Sequence, residues 1–284
     1  MAFQIGVMSD SFNKKTIREG LAEAARAGAS GVQMYAVSGE MSPENMTDAK
    51  IEEIKGYLKE YNLKVSALCG DLGGHGFERA EDNGWKIEKS KQIVDLCLRL
   101  DSNIVTTHIG CIPEDENDPV YGIMLDACTE LANYANGKGA FFAIETGPEP
   151  AALLKTFLDK TPVKGVAVNM DPANLVMVTG DDPVQAVYTL RDYIVHTHAK
   201  DGVMLKKSDP KQVYGFFADG GIGDLRLDEF FLEVPLGKGQ VPFDGYLSAL
   251  RDIGYTGYLT VERECGDNPF DDIQSAVEFL QTKI

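Results

Sequence analysis

Basic residues are the scarce class in this sequence. Lys and Arg number 27 against 44 Asp and Glu, for a formal net charge of −17. There is no basic cluster to offset that surface, which repels phosphate backbones, so nucleic acid is excluded as an expected partner. Histidine is rarer still, with four in the chain. Long hydrophobic runs are missing too. Nothing approaches the roughly 18 consecutive apolar residues of a membrane span, and Met1-Ala2-Phe3-Gln4 does not begin a signal peptide. No membrane association is expected. The five cysteines are odd in number, and no pair has CxxC spacing. That argues against a disulfide framework or a zinc knuckle and for reduced thiols in a cytoplasmic protein. Neither a GxGxxG turn nor a P-loop is present to cradle a dinucleotide or a phosphate.

What the sequence does have is alternation. Short apolar segments predict strands at Phe3–Met8, Gly31–Val37, Leu63–Cys69, Asn103–Ile109, Ala140–Ile144, Lys164–Met170, Ile194–Thr197 and Gly257–Val261. Helical spacing predicts helices at Thr16–Ala29, Asp48–Tyr61, Trp85–Leu100, Tyr121–Asn136, Ala151–Leu158, Pro183–Tyr193, Phe243–Ile253 and Phe270–Leu280. Eight strands, each followed by a helix, form the pattern of an α/β (β/α)8 TIM barrel, read as a single domain over residues 1–284. A doubly wound open sheet competes, but its first turn is normally glycine-rich, whereas this one reads Ser9-Asp10-Ser11-Phe12. One connection breaks the rhythm: a long insertion, about residues 201–242, separates strands seven and eight. It carries Tyr214, Phe216 and Phe217, and is expected to cover the mouth of the barrel rather than run over its outer ring.

Strand phase selects candidate site residues. In a barrel, alternate residues point inward, and function gathers at the C-terminal ends of the strands. The inward positions there are Glu145 on strand five, Asp171 after strand six, His196 or His198 on strand seven, and Glu262 on strand eight. Acids at such positions also cap the following helices. Four in phase on consecutive strands, however, form a hard, oxygen-rich set suited to one divalent cation. Mn²⁺ comes first, with Mg²⁺, Co²⁺ and Zn²⁺ as alternatives.

The segments Glu145-Thr146-Gly147, Met170-Asp171-Pro172-Ala173-Asn174, His196-Thr197-His198-Ala199-Lys200-Asp201 and Val261-Glu262-Arg263-Glu264 together resemble the metal motifs of the xylose-isomerase-like sugar isomerase/epimerase superfamily. That group includes ketose 3-epimerases, inosose isomerases and dehydratases, and endonuclease IV. The resemblance implies a metal held by Glu145, Asp171, His198 and Glu262, and it favours His198 over His196, which strand phase alone leaves open. It also implies an enzyme that moves a proton beside a carbonyl through an enediolate, with Glu145 and Glu262 as the catalytic acid–base pair.

Weaker candidates for binding a sugar or polyol substrate are His108, Glu149, Asn174, His196 and Lys200. Glu149 reads first as a first-turn helix acid, and His108 equally as a core histidine. Glu233 in the insertion is a candidate for reaching the mouth, and the glycine-rich loop Gly70–Gly76 reads foremost as a plain turn. The alternatives to an isomerase or epimerase are a keto-sugar or keto-inositol dehydratase on the same site, and a metal-binding barrel subunit of a larger enzyme. A homo-oligomer is compatible with either. An endonuclease-like trinuclear zinc site is disfavoured by the histidine count.

Overall fold

Several helices begin in the same way. Asp118-Pro119, Asp171-Pro172, Asp182-Pro183 and Asp209-Pro210 each place an aspartate at the N-cap and a proline in the first turn. The aspartate oxygen accepts from the backbone N–H two residues on, at 2.8–3.0 Å. Proline is preset for a first helical turn and gives up an N–H that has no partner there anyway. A Thr16/Glu19 capping box starts the first long helix in another way.

The computed structural model describes residues 3–284. In chain order the elements are β1 (Gln4–Met8), α1 (Ile17–Arg26), β2 (Gly31–Tyr35), α2 (Asp48–Glu60), β3 (Lys64–Cys69), α3 (Ala80–Arg99), β4 (Ile104–Thr107), α4 (Pro119–Lys138), β5 (Phe141–Glu145), α5 (Ala151–Leu158), β6 (Val166–Met170), a short α6 (Pro172–Asn174), α7 (Pro183–Leu190), β7 (Ile194–Ala199), β8 (Asp201–Met204), α8 (Pro210–Asp219), β9 (Phe231–Val234), α9 (Phe243–Asp252), β10 (Tyr258–Val261) and α10 (Pro269–Gln281). Strands β1 to β7 and β10 close into a parallel barrel in the order β1-β10-β7-β6-β5-β4-β3-β2. The fold is the expected (β/α)8 barrel, with β10 as its eighth strand.

The structure departs from the sequence reading in a few places. Helix α3 starts five residues before Trp85, because Arg79 and the acids Glu81 and Asp82 begin the helix ahead of its apolar stripe. Strand β4 stops at Thr107, just before His108. The insertion is no plain loop: β8 and β9 pair antiparallel, with helix α8 between them.

The core lies between the barrel and its helices, with Val7, Val32, Leu68, Phe142, Val168 and Leu259 on the strands against Leu21, Ile54, Leu131, Phe157, Leu250 and Val277 on the helices, all buried. That apolar contact is the main stabilising term of the fold. Two register shifts interrupt the barrel ladder, at Val32/Gln33 and at Val168/Asn169. Irregularities of this kind re-aim side chains, and both of these sit beside a polar residue facing the barrel interior.

Candidate metal centre and active site

The ends of β5, β6, β7 and β10 bring Glu145, Asp171, His198 and Glu262 together, all buried, with one ligand atom from each within 4.8 Å of the others. Asp171 serves two purposes. Its Oδ1 accepts from the N–H groups of Ala173 and Asn174 at 2.8 and 2.9 Å, capping α6, while Oδ2 faces His198 Nδ1 at 3.4 Å. Helix capping and site membership, which compete in the sequence, are thus combined in one side chain. Glu145 is held from both sides: Asn174 Nδ2 donates to Oε1 at 3.0 Å and Asn169 Nδ2 to Oε2 at 3.1 Å. Glu262 Oε2 accepts from Lys200 Nζ at 3.0 Å and lies 3.3 Å from His198 Nδ1. Lys200 also pairs with Glu264.

His198 Nδ1 faces all three carboxylates, and Nε2 lies 3.1 Å from Gln33 Oε1. A carbonyl oxygen only accepts, so Nε2 carries the hydrogen and Nδ1 is the side available to an ion. Gln33 is itself anchored, its Nε2 donating to Thr106 Oγ1 at 2.9 Å. Burial works against a charge on His198, but Glu262 and Glu145 beside it hold the imidazole well above its ordinary value. Glu262 is likewise opposed by burial, yet His198 and Lys200 keep it well below the usual carboxylate range.

His196, a candidate substrate contact in the sequence, is not brought to the site's open side. It is 1 % exposed, with Nδ1 2.9 Å from Asn169 Oδ1 and Nε2 3.0 Å from Thr260 Oγ1. It lies two residues before His198 on β7, so both nitrogens are taken up one layer down inside the barrel. Burial and the neighbouring His198 hold its pKa well below the ordinary value, leaving it neutral. Glu149, the other such candidate, is likewise set away from the open side. It is 3 % exposed, neither oxygen has a hydrogen-bond partner among the described residues, and it is absent from the cavity wall. Burial pushes its carboxyl up to about 8.

Above the cluster lies a cavity of about 940 Å³. Glu145, Asn174, Lys200, Glu262 and His108 line it, as do Asp71, Gly73, Gly74, His75 and Gly76 of the loop after β3. That loop is therefore part of the site rather than a plain turn. His108 Nδ1 lies 3.0 Å from Asp71 Oδ2, and its Nε2 lies 3.7 Å from Glu145 Oε1 without a hydrogen-bond partner among the described residues. Burial disfavours its charge, but Glu145 and Asp71 outweigh burial and raise its pKa to about 10.

The insertion forms the opposite wall, through Val213, Tyr214, Phe217 and Leu232. The Tyr214 ring lies 5.5 Å from that of His108. Gly147 is required beneath it: φ is +149°, and a Cβ there would meet Asn174 Cβ at 2.8 Å as well as the Tyr214 hydroxyl. His75 Nε2 bonds Asp219 Oδ1 at 2.9 Å, fastening the end of α8 to the β3 loop. Glu233 also reaches the cavity, paired with Arg263 at 2.5 Å. Gln33 and Thr106 are the residues that the sequence reading missed; the only signal for Gln33 was a polar side chain between Val32 and Met34.

Residues 21–283 match the family described as xylose isomerase-like TIM barrel. The chain belongs to that family. Among curated relatives, it is 22% identical to an inosose isomerase of Bacillus velezensis over 228 residues, covering 78% of this chain and 74% of that one. It is 25% identical to an inosose isomerase of Bacillus licheniformis over 230 residues, with the same coverage. Among solved structures, a xylose isomerase domain protein from Planctomyces limnophilus matches with a TM-score of 0.79 at 24% identity, over 99% of this chain and 96% of that one. A 3-keto-D-glucoside 4-epimerase from E. coli matches with a TM-score of 0.72 at 18% identity, over 99% of each chain. At these identities the structural likeness speaks to the fold. No described helix is long and apolar enough to cross a membrane.

The donor set fits a divalent cation. Three buried carboxylates converge on one imidazole nitrogen, and of the three only Glu262 has a lysine partner. Carboxylates packed this closely repel one another unless a positive charge lies among them. Three oxygens and one nitrogen form a hard ligand set.

Proposed function

We propose that this chain is a divalent-metal-dependent sugar or polyol isomerase or epimerase that moves a proton on the carbon next to a carbonyl. The observation that carries this reading is the buried Glu145–Asp171–His198–Glu262 cluster, whose two glutamates line one cavity from strands three positions apart in the barrel order. When bound, the cation would supply Lewis-acid stabilisation of negative charge developing on the substrate oxygens; Mn²⁺ is our first choice. Glu145, Asp171, His198 and Glu262 would hold it.

The chain's own residues account for the rest of the chemistry. Glu145 and Glu262 are the groups placed to take and return a proton from different directions. Asn169 and Asn174 fix Glu145, and Lys200 fixes Glu262 in its ionised, basic form. Asn174, Lys200 and His108 line the same cavity and are the proposed contacts for substrate hydroxyls. Tyr214 and the β3 loop narrow the mouth and limit water. The relatives' names, inosose isomerase above all, support a cyclic polyol or sugar as substrate. The unpaired state of all five cysteines supports a cytoplasmic location.

The test is incubation of ketohexoses, keto-inositols and methyl and phenyl keto-glycosides with the Mn²⁺-loaded protein in D₂O, read by NMR. Incorporation of solvent deuterium at the carbon beside the carbonyl is expected, and Glu145→Gln and Glu262→Gln should each abolish it. Product formed with full retention of the original hydrogen indicates a hydride shift and refutes the proton-transfer reading; loss of water indicates a dehydratase and refutes the isomerase/epimerase assignment; a complete lack of turnover refutes both.

A further inference from the structure

The cavity has two halves of different chemistry. Its floor, at the strand ends, is polar: Asp71, His108, Glu145, Lys200 and Glu262. Its far wall, built by the insertion and the turn after β6, is apolar: Val178, Tyr214, Phe217, Leu227, Phe231 and Leu232. Of the charged residues on that side, Lys211 and Asp228 are exposed to solvent and Glu233 is paired with Arg263. Phe217 is 63% and Leu232 42% exposed, so large apolar side chains line the same cavity as the candidate catalytic groups yet lack full cover.

Size points the same way. Small-molecule cavities run from about 300 to 1,000 Å³, and the upper end holds drug-sized ligands. At about 940 Å³ this cavity stands near that end, whereas one six-carbon ring belongs near the lower. A free sugar bound at the polar floor would leave the apolar wall wet. If it were moved to that wall, its hydroxyls would lose water without gaining partners.

We propose that the substrate is a glycoside rather than a free monosaccharide: a keto-sugar ring on the floor, carrying an apolar aryl or alkyl group that rests against Phe217, Leu232 and Tyr214. This rests on the isomerase/epimerase reading for the floor and adds the substrate class.

The experiment is calorimetric titration of the Mn²⁺-loaded protein with methyl and phenyl glycosides of glucose, galactose and mannose, and with cellobiose. In at least one sugar series the phenyl glycoside should bind about tenfold or more tighter than the methyl glycoside, the gain expected from burying one aromatic ring, and with a more negative heat-capacity change. Phe217→Ala should cut the phenyl-to-methyl ratio at least fivefold in that series. Ile222→Ala, exposed on the insertion but off the cavity wall, should leave the ratio unchanged. Phenyl and methyl affinities within twofold in every series would overturn the proposal. So would cellobiose binding more tightly than every phenyl glycoside, or Phe217→Ala changing the oligomeric state while preserving the ratio. Failure of the underlying reading looks different: the phenyl preference survives, but no deuterium enters any keto-inositol, free ketose or methyl or phenyl keto-glycoside in D₂O.

Discussion

Replacing Asp171 by asparagine separates the metal role of this residue from its structural one. Asp171 is fully buried, and its Oδ1 caps α6. An asparagine carbonyl preserves that cap while removing the charge. Without metal, the charge has two opposed effects. At an effective dielectric of about 20, a like charge 4.8 Å away, the outer limit of the cluster, costs about 3.5 kcal/mol. Glu145 and Glu262 together therefore oppose Asp171 by about 7 kcal/mol. Attraction to His198 at 3.4 Å returns about 5 kcal/mol. The metal-free variant should thus lie within about 2 kcal/mol of the parent, on the stable side. With metal the outcome differs. An ion at about 1,000 times its Kd adds about 4 kcal/mol. Unfolding entropy near 2.1 cal/mol/K per residue, taken over 284 residues, is about 0.6 kcal/mol/K, so the parent's Tm should rise by about 7 °C. Scanning calorimetry in Mn²⁺ and in EDTA reads both effects. Asp171→Asn should lose nearly all of the metal-induced rise and change little in EDTA. A variant that keeps the full rise would refute the ligand assignment. One that melts far below the parent in EDTA would show that the charge stabilises the metal-free fold through His198, against the balance worked out above.

Three further outcomes are expected. An ion needs the Nδ1 lone pair of His198, which is protonated in the metal-free protein, so binding should release about one proton near neutral pH and weaken as pH falls; titration in two buffers of different ionisation enthalpy measures this, and zero release would contradict it. Gln33→Met removes the acceptor that fixes the His198 ring and should weaken metal binding by about 10- to 100-fold, while circular dichroism shows an intact barrel; unchanged affinity would remove Gln33 from the site. Glu149, raised to about 8 from an ordinary value near 4.3, keeps a proton that the unfolded chain releases, so stability should fall as pH rises across that window and level off above it. Glu149→Gln should flatten this fall, matching the parent near the bottom of the window and melting higher above its top; parallel Tm–pH curves would contradict the argument.

The sequence by itself determined the barrel, because each of its signals is local. A strand buried on both faces reads as a short apolar run, a helix as a 3.6-residue stripe, and eight repeats leave few topologies. It also determined which acids point inward, since Glu145, Asp171 and Glu262 follow from period-2 phase counted along single strands. Phase does not encode depth along the barrel axis. His196 and His198 share a face, and only the stagger of neighbouring strands decides that Asn169 and Thr260 saturate the first while the second meets the carboxylates. Nor does phase encode partners across the barrel. Gln33 reaches His198 over a separation of 165 residues, through a register shift that no local pattern announces. The insertion was visible as a break in rhythm. Its β8–β9 pairing, its seat over the cavity and its His75–Asp219 tie depend on segments far apart in the chain. Those contacts exist only once the closed barrel has brought the loops to one end.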